Sequence, residues 1–175
     1  MNITVYCGSN KGKNPAYECE AKKLGEFIGR NNHTLIYGGS NRGLMGVVAD
    51  NVLDNGGRIV GVYPKQLEGI EFQHPRLSDL VITENINQRR AKMIELGDVF
   101  VALPGGPGTL EEMAEVISLV RIDHLEGEFF ILDVDNFYDP LRDLLDKMLE
   151  EGFVLKEQVE RFMFVKTTEE LAALI

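Results

Sequence analysis

The chain consists of short apolar runs that alternate with longer segments in which apolar residues recur at helical spacing. The short runs have the length of buried strands, and several end in glycine or proline, where an extended segment is expected to turn. They predict seven strands, at residues 3–7, 35–37, 59–63, 79–83, 99–103, 129–134 and 163–165. The longer segments predict helices at residues 15–29, 44–53, 86–96, 109–120, 138–150 and 156–162, with a last helix from residue 168.

This alternation of strands and helices indicates a parallel sheet, because parallel neighbours need a crossover that a helix usually supplies. The runs VFVAL (99–103) and FFILDV (129–134) are apolar almost throughout, which is typical of strands covered by helices on both faces. We therefore expect an α/β fold with three layers around a doubly wound, mostly parallel, Rossmann-like sheet. No repeat or linker divides the sequence, so residues 1–175 are predicted to form a single domain. The longest irregular stretch, 64–80, is expected to be functional.

Charge and composition exclude several classes of function. The 175 residues carry a formal net charge of −10, which argues against a surface for nucleic acid or anionic membranes. No apolar run approaches the ~18 residues of a membrane span. Two cysteines, Cys7 and Cys19, are too few for a disulfide framework, and the histidines lack metal-ligand spacing. These features predict a cytoplasmic protein that binds neither nucleic acid nor membrane.

Three predicted strands end in glycine-rich turns, at residues 7–12, 37–46 and 103–109. The carboxyl ends of parallel strands lie at one edge of the sheet, where backbone N–H groups and helix N-termini favour an anion. One such turn is explained by tight geometry alone, but three at one edge indicate a nucleotide or phosphate site. The dinucleotide motif G-x-G-x-x-G and the motif G-x-x-x-x-G-K-[ST] are both absent. The ligand is therefore expected to be a mononucleotide or a sugar phosphate.

The predicted helix at 86–96 carries two arginines on its apolar face. Ile86, Arg89, Arg90 and Met93 recur at the spacing of one helical face, which should pack on the sheet. Because a buried unpaired charge is very costly, both arginines need an anionic partner. That partner could be a carboxylate of the protein, a neighbouring subunit, a substrate phosphate or a catalytic glutamate.

Two glutamates, Glu111 and Glu112, follow the turn at 103–109. Acidic residues in a first helical turn favour the helix dipole, which would explain one of them without any function. Both lie well off the predicted buried face of their helix, on opposite sides, so periodicity does not choose between them. The residues of that predicted buried face are Leu110, Met113, Ala114, Ile117 and Val120.

These features resemble one known family, the LOG ("lonely guy") proteins. LOG proteins are cytokinin riboside 5′-monophosphate phosphoribohydrolases that were long labelled as possible lysine decarboxylases. PGGPGTLEE (104–112) matches the family motif P-G-G-x-G-T-x-x-E, and YGGSNRGLMG (37–46) is similar to Y-G-G-G-x-x-G-L-M-G. CGSN (7–10) and LDVDNFYDPL (132–141) resemble two further family blocks, so the likeness spans nearly the whole chain.

The resemblance implies a reaction, and it implies that the chain is a Rossmann-like nucleotide-binding domain. The reaction is hydrolysis of the N-glycosidic bond of an adenosine 5′-monophosphate, with or without an N6 substituent, to free base and ribose 5-phosphate. No metal or organic cofactor is required, and a homodimer is implied. The role of the reaction is cytokinin biosynthesis or the salvage of damaged nucleotides, and the sequence does not choose between them. The alternative is a non-catalytic nucleotide-binding regulatory protein. Amino-acid decarboxylation is disfavoured, because no lysine is an obvious pyridoxal attachment site.

The resemblance also assigns site residues. The family's catalytic pair corresponds to Arg89 and Glu112, and a family lysine corresponds to Arg90. Ile86 and Asn87 replace a family Met-His pair, and Pro107 replaces an aromatic residue, which leaves the preferred base open. The residues expected to bind the substrate or its phosphate are Gly8, Ser9, Gly38, Gly39, Ser40, Gly43, Met45, Glu71, Arg90, Gly105, Gly106, Gly108 and Thr109.

Overall fold

The computed structural model describes residues 1–69, 72–122, 125 and 127–175, which contain a seven-stranded sheet flanked by helices. Every strand pairing is parallel, where the sequence predicted a mostly parallel sheet. The expected three-layer, Rossmann-like α/β fold is confirmed. The strands are β1 (Asn2–Tyr6), β2 (Thr34–Tyr37), β3 (Arg58–Pro64), β4 (Asp79–Thr83), β5 (Val99–Ala102), β6 (Glu128–Leu132) and β7 (Phe162–Val165).

The strand order is β4-β3-β2-β1-β5-β6-β7. The chain therefore runs outward from β1 to β4 on one side and then crosses to β5 on the other side of β1. The connections that leave β1 and β5 at their carboxyl ends diverge, which opens a crevice between them. At this topological switch point, a ligand can bind in the crevice at the edge of the sheet.

The helices lie close to their predicted positions, and two of them begin at asparagine caps. The Asn14 side chain accepts a hydrogen bond from the Ala16 amide, and Asn85 accepts one from Gln88, which satisfies amides that a helix start leaves unpaired. The helices are α1 (Pro15–Arg30), α2 (Gly43–Asp54), α3 (Ile86–Leu96), α4 (Pro107–Arg121), α5 (Asp139–Glu150), α6 (Lys156–Val159) and α7 (Thr168–Ala172). Within the described part of the chain, none of them is long and apolar enough to cross a membrane.

Two separate hydrophobic cores lie on the two faces of the sheet. Leu24 of α1 and Val48 of α2 belong to the first core, and Met93 of α3 and Met113 of α4 belong to the second. The sheet residues in both cores are mainly Ile, Val, Leu and Phe, as expected for strands buried on both faces. The cores hold β1 and β5 rigidly beneath the crevice.

The predicted buried face of α4 was partly wrong. Met113 and Val120 are buried as expected, but Leu110 is 53% exposed and Ala114 is also exposed. Val116, which was not in the predicted set, is completely buried instead. Apolar residues cover more than half of the circumference of α4, so the pattern could not show which part of that stripe packs on the sheet.

Candidate active site

A cavity of about 370 Å³ lies at the crevice beyond the carboxyl ends of β1 and β5. The connections β1–α1 and β5–α4 supply most of its wall, and α3 and α4 supply charged side chains. A volume of this size is in the range of small-molecule sites. The cavity therefore occupies the place that the topology of an open parallel sheet assigns to a ligand.

Glycines bring the walls of the cavity together. The Gly8 amide donates to the Pro104 carbonyl oxygen at 3.1 Å, and a methyl group on Gly8 would lie 3.3 Å from the Cα of Gly105. The Leu44 amide donates to the Gly8 carbonyl oxygen at 3.0 Å, which ties the turn after β2 to the turn after β1. Gly43 has a φ of +58° and its Cα packs against the backbone of Ser9, so a side chain there would be strained and would clash. The three glycine-rich turns therefore form one contiguous backbone surface.

The start of α4 is suited to bind an anion. Gly106 is the N-cap and offers no side-chain cap, and Pro107 has no amide hydrogen to satisfy. The Leu110 amide bonds to the Gly106 carbonyl oxygen, but the Gly108 and Thr109 amides have no acceptor among the described residues. Unpaired amides and the helix dipole together favour a negatively charged group at this position.

Arg89 of α3 lines the cavity at the β2 side. Its Nε donates to the Val62 carbonyl oxygen at 3.1 Å, at the end of β3. The guanidinium packs directly over Gly38, because a methyl group on Gly38 would overlap it. Arg89 forms no salt bridge with any other described residue, and it lines the cavity together with Glu112.

Glu112 of α4 also lines the cavity and acts electrostatically on the residues around it. The pKa of the Cys7 thiol is raised, chiefly by burial and then by the charge of Glu112, and Arg89 partly offsets this. Burial and then nearby charges, Glu112 among them, likewise raise the pKa of Tyr138, whose hydroxyl donates to the Leu103 carbonyl oxygen. The charges of Glu112 and Arg89 therefore both affect the pKa of the Cys7 thiol, which directly follows β1 and lines the cavity.

Arg90 lies elsewhere, although the sequence predicted that it binds substrate. Its Nε is 2.7 Å from Glu115, its Nη1 is 2.6 Å from Glu111, and its Nη2 is 3.0 Å from the Asn87 side-chain oxygen. Arg90 is not among the residues that line the cavity. Of the partners left open by the sequence, the protein carboxylates are the ones that Arg90 contacts, because its side chain leaves α3 towards α4 rather than towards the sheet edge.

The structure brings most of the other predicted site residues together. Gly39 and Ser40 do not line the cavity: the Gly39 carbonyl accepts the His74 amide at 2.8 Å, and Ser40 pairs with Gln73 in an isolated bridge. Gly43 serves the turn packing described above, and Glu71 lies outside the described residues. The predicted residues that do line the cavity, together with Arg89 and Glu112, are Gly8, Ser9, Gly38, Met45, Gly105, Gly106, Gly108 and Thr109.

Several cavity residues were not predicted. Lys11 and Tyr17 come from the β1–α1 connection and from α1, and Phe137 comes from the turn after β6. Lys11 and Phe137 lie inside segments that the sequence had singled out, 7–12 and 132–141, but neither segment shows which side chain turns inward. Over the ranges that the structure describes, no group of three or more His, Cys, Asp or Glu side chains could hold a metal ion.

Sequence comparison with known proteins gives matches that agree with one another. A family model described as "Possible lysine decarboxylase" matches residues 45–175. The cytokinin riboside 5′-monophosphate phosphoribohydrolase LOG3 of Arabidopsis thaliana is 37% identical over 169 residues, covering 97% of this chain and 79% of its own. The enzyme of the same name from Rhodococcoides fascians is 37% identical over 175 residues, covering 99% of this chain and 88% of its own.

Solved structures share the fold. The molybdenum cofactor binding protein of Rippkaea orientalis has a TM-score of 0.73 at 20% identity, covering 99% of this chain and 93% of its own. The Moco carrier protein of Chlamydomonas reinhardtii has a TM-score of 0.68 at 20% identity, covering 99% of this chain and 94% of its own. At this identity the likeness establishes the architecture alone.

Proposed function

We propose that this chain, which belongs to the LOG family of cytokinin riboside 5′-monophosphate phosphoribohydrolases, hydrolyses the N-glycosidic bond of an adenosine 5′-monophosphate. The products are the free base and ribose 5-phosphate, and the adenine is accepted with or without an N6 substituent. One observation carries the proposal: a carboxylate, Glu112, and an anion-binding helix start, at Gly108 and Thr109, line the same cavity. This combination suits a substrate that has a phosphate at one end and, at the other end, a bond whose cleavage leaves a cationic sugar.

The phosphate binds first to the start of α4. The amides of Gly108 and Thr109 donate to its oxygens, and the Thr109 hydroxyl lies beside them at the cavity wall. Binding of the phosphate at a fixed point holds the ribose against the next turn of the helix, where Glu112 lies. The phosphate thus selects a nucleotide over a nucleoside and sets the position of C1′.

Glu112 acts on the bond to the base. Cleavage of the C1′–N bond leaves an oxocarbenium-like sugar, and a nearby carboxylate stabilises that positive charge. The same carboxylate can take a proton from the attacking water, whose oxygen bonds to C1′ while the base departs with the electron pair and then gains a proton. Arg89 offsets the charges of the carboxylate and the phosphate and orients the sugar. The reaction needs no organic cofactor or metal in this scheme.

A substrate panel tests the proposal against its rival, a non-catalytic nucleotide-binding protein. The protein is mixed with AMP and with isopentenyl-AMP, and released base is measured by chromatography. We expect release from at least one of them, and none from adenosine, which lacks the phosphate. Binding of both nucleotides without release at high protein concentration would establish the rival instead.

The assembly and location of the protein form part of the same proposal. One continuous sheet supports a single nucleotide-binding domain over residues 1–175. A homodimer is supported by apolar side chains exposed on adjacent elements: Ile86 on α3, Leu110 on α4 and Ile122 after α4 are 37%, 53% and 48% exposed. These three residues define what we call the α3–α4 surface. The free cysteines, Cys7 and Cys19, support a reducing, cytoplasmic location.

A further inference from the structure

The charges around the cavity do not balance for the proposed substrate. A phosphate monoester carries a charge of about −1.5 to −2 at pH 7, and Glu112 adds a further negative charge. Arg89 lies at the β2 side, held by the Val62 carbonyl oxygen and Gly38. Arg90, the second cation that the sequence suggested, is paired with Glu111 and Glu115 outside the cavity.

Lys11 is the other cationic side chain among the described residues that line the cavity. It belongs to the turn after β1, and that turn contacts the turn after β5 through Gly8 and Gly105. Lys11 therefore lines the same cavity as Gly108 and Thr109 at the start of α4, whereas Arg89 packs against Gly38 after β2. Its next residue, Gly12, has a φ of +73° and packs against the Tyr17 ring, which fixes the course of the turn.

The present partner of Lys11 is readily exchanged. Its Nζ is 2.7 Å from Glu18 Oε1, and the two side chains are 53% and 48% exposed. Ion pairs with this exposure are weak, because water and salt screen them. An ammonium group has three N–H donors, so Lys11 can bind a phosphate oxygen while it keeps or releases Glu18.

We propose that Lys11 binds the 5′-phosphate of the substrate and supplies the counter-charge that Arg90 does not. This inference rests on the proposed function for the identity of the ligand. In it, Lys11 and the start of α4 hold the phosphate from two sides, and Arg89 is left to act beside Glu112. Lys11 thereby becomes a determinant of specificity for phosphorylated over non-phosphorylated nucleosides.

The chain offers a matched control in Lys13, a lysine of the same connection that does not line the cavity. We expect Lys11→Gln to raise the KM for AMP about tenfold, as for loss of one charge-assisted hydrogen bond, with kcat changed less than twofold. Lys11→Arg should restore most of the affinity, and Lys13→Gln should stay within twofold of the unmodified protein. Equal KM values for Lys11→Gln and Lys13→Gln would overturn the inference.

A binding experiment separates this inference from the proposed reaction. Calorimetric titration with ribose 5-phosphate and with adenosine needs no turnover, and thermal unfolding confirms that each variant is folded. Lys11→Gln should weaken ribose 5-phosphate about tenfold and leave adenosine unchanged. If no base is released but this difference is found, the reaction is wrong and the phosphate site stands. If base is released but ribose 5-phosphate binds both proteins equally, the reaction stands and the role of Lys11 is wrong.

Discussion

At the scale of single residues, Glu111 and Glu112 are neighbours in sequence with different surroundings. Glu111 is 58% exposed and its carboxylate is 2.6 Å from Arg90 Nη1. Glu112 lines the cavity, where its charge acts on the Cys7 thiol and the Tyr138 hydroxyl. The ~100° turn between successive helical residues is enough to send one carboxylate to an ion pair between helices and the other to the cavity.

These surroundings predict different consequences of the same substitution. We expect Glu112→Gln to lower kcat for release of base from AMP by at least ~100-fold, because the neutral amide neither stabilises the oxocarbenium-like sugar nor accepts a proton. Its affinity for AMP should stay within a few-fold. Glu111→Gln is the matched control and should retain at least half of the activity in the same assay. Loss of activity in Glu111→Gln with activity kept in Glu112→Gln would exchange their roles.

The sequence could not separate these two residues by periodicity. Both lie off the apolar face of α4, so the choice of Glu112 depended on the family motif. The position of Arg90 outside the cavity was unexpected for a related reason: adjacent residues on α3 project about 100° apart, and the pattern does not show which of them reaches the sheet edge. Lys11 was overlooked because a turn has no periodicity from which to read the direction of a side chain.

At the scale of elements, a buried carboxylate organises the connection from β6 to α5. Asp133 is completely buried and accepts hydrogen bonds from the Tyr138 amide at 2.6 Å, from Lys166 at 2.7 Å and from Arg142 at 3.1 Å. The connection includes Asp135, which has a φ of 52° and is therefore strained. By holding this turn, Asp133 fixes the position of the adjacent cavity wall.

The Asp133 network predicts a pH dependence of stability. Burial works to raise the pKa of the Asp133 carboxyl, but the hydrogen bonds from Lys166 and Tyr138 and the charges of Lys166 and Arg142 outweigh it, so the pKa lies below its usual value. A carboxyl whose pKa is lower in the folded chain stabilises the fold above the unfolded value of about 3.9. That contribution is lost as the pH falls through the folded pKa.

We therefore expect Asp133→Asn to lower the free energy of unfolding by about 2 kcal/mol at pH 7, because Lys166 and Arg142 lose a charged hydrogen-bond acceptor. The difference from the unmodified protein should start to shrink below about pH 4 and continue to shrink as the pH falls through the folded pKa, where the unmodified carboxyl also becomes protonated. Urea denaturation from pH 3 to pH 7 measures both effects. Asp146→Asn, at an exposed position of α5, should change neither. A difference between Asp133→Asn and the unmodified protein that does not depend on pH would contradict this account.

Most elements could be predicted because buried parallel strands and amphipathic helices have strong patterns. For instance, the bounds of β4 and α3 agree with those expected, and α1 and α5 differ by one residue. The buried face of α4 was harder to predict, since its apolar stripe is wide enough to cover the sheet and still leave apolar side chains exposed. Met113, Val116 and Val120 pack on the sheet, and Leu110 remains exposed beside them.

At the scale of the whole molecule, the strand order determines where chemistry can occur. Because strands are added to one side of β1 up to β4 and to its other side from β5 onwards, the cavity opens between β1 and β5 and the glycine-rich turns converge on it. The α3–α4 surface lies on the helices that carry Arg89 and Glu112. Association of two copies through that surface would therefore place a partner close to the cavity, and the exposed part of the α4 stripe would be explained as a contact between subunits.

The assembly is tested by a charge placed on this surface. The protein, with a chain mass of 19.6 kDa, should run at twice that mass in light scattering after size exclusion. Leu110→Glu should dissociate it, because a carboxylate without a partner is costly to bury in an interface. Leu144→Glu is the control, since Leu144 of α5 is 50% exposed but lies outside the α3–α4 surface. A dimer that dissociates with Leu144→Glu and survives Leu110→Glu would move the interface to α5, and a monomeric unmodified protein would show that the cavity is complete within one chain.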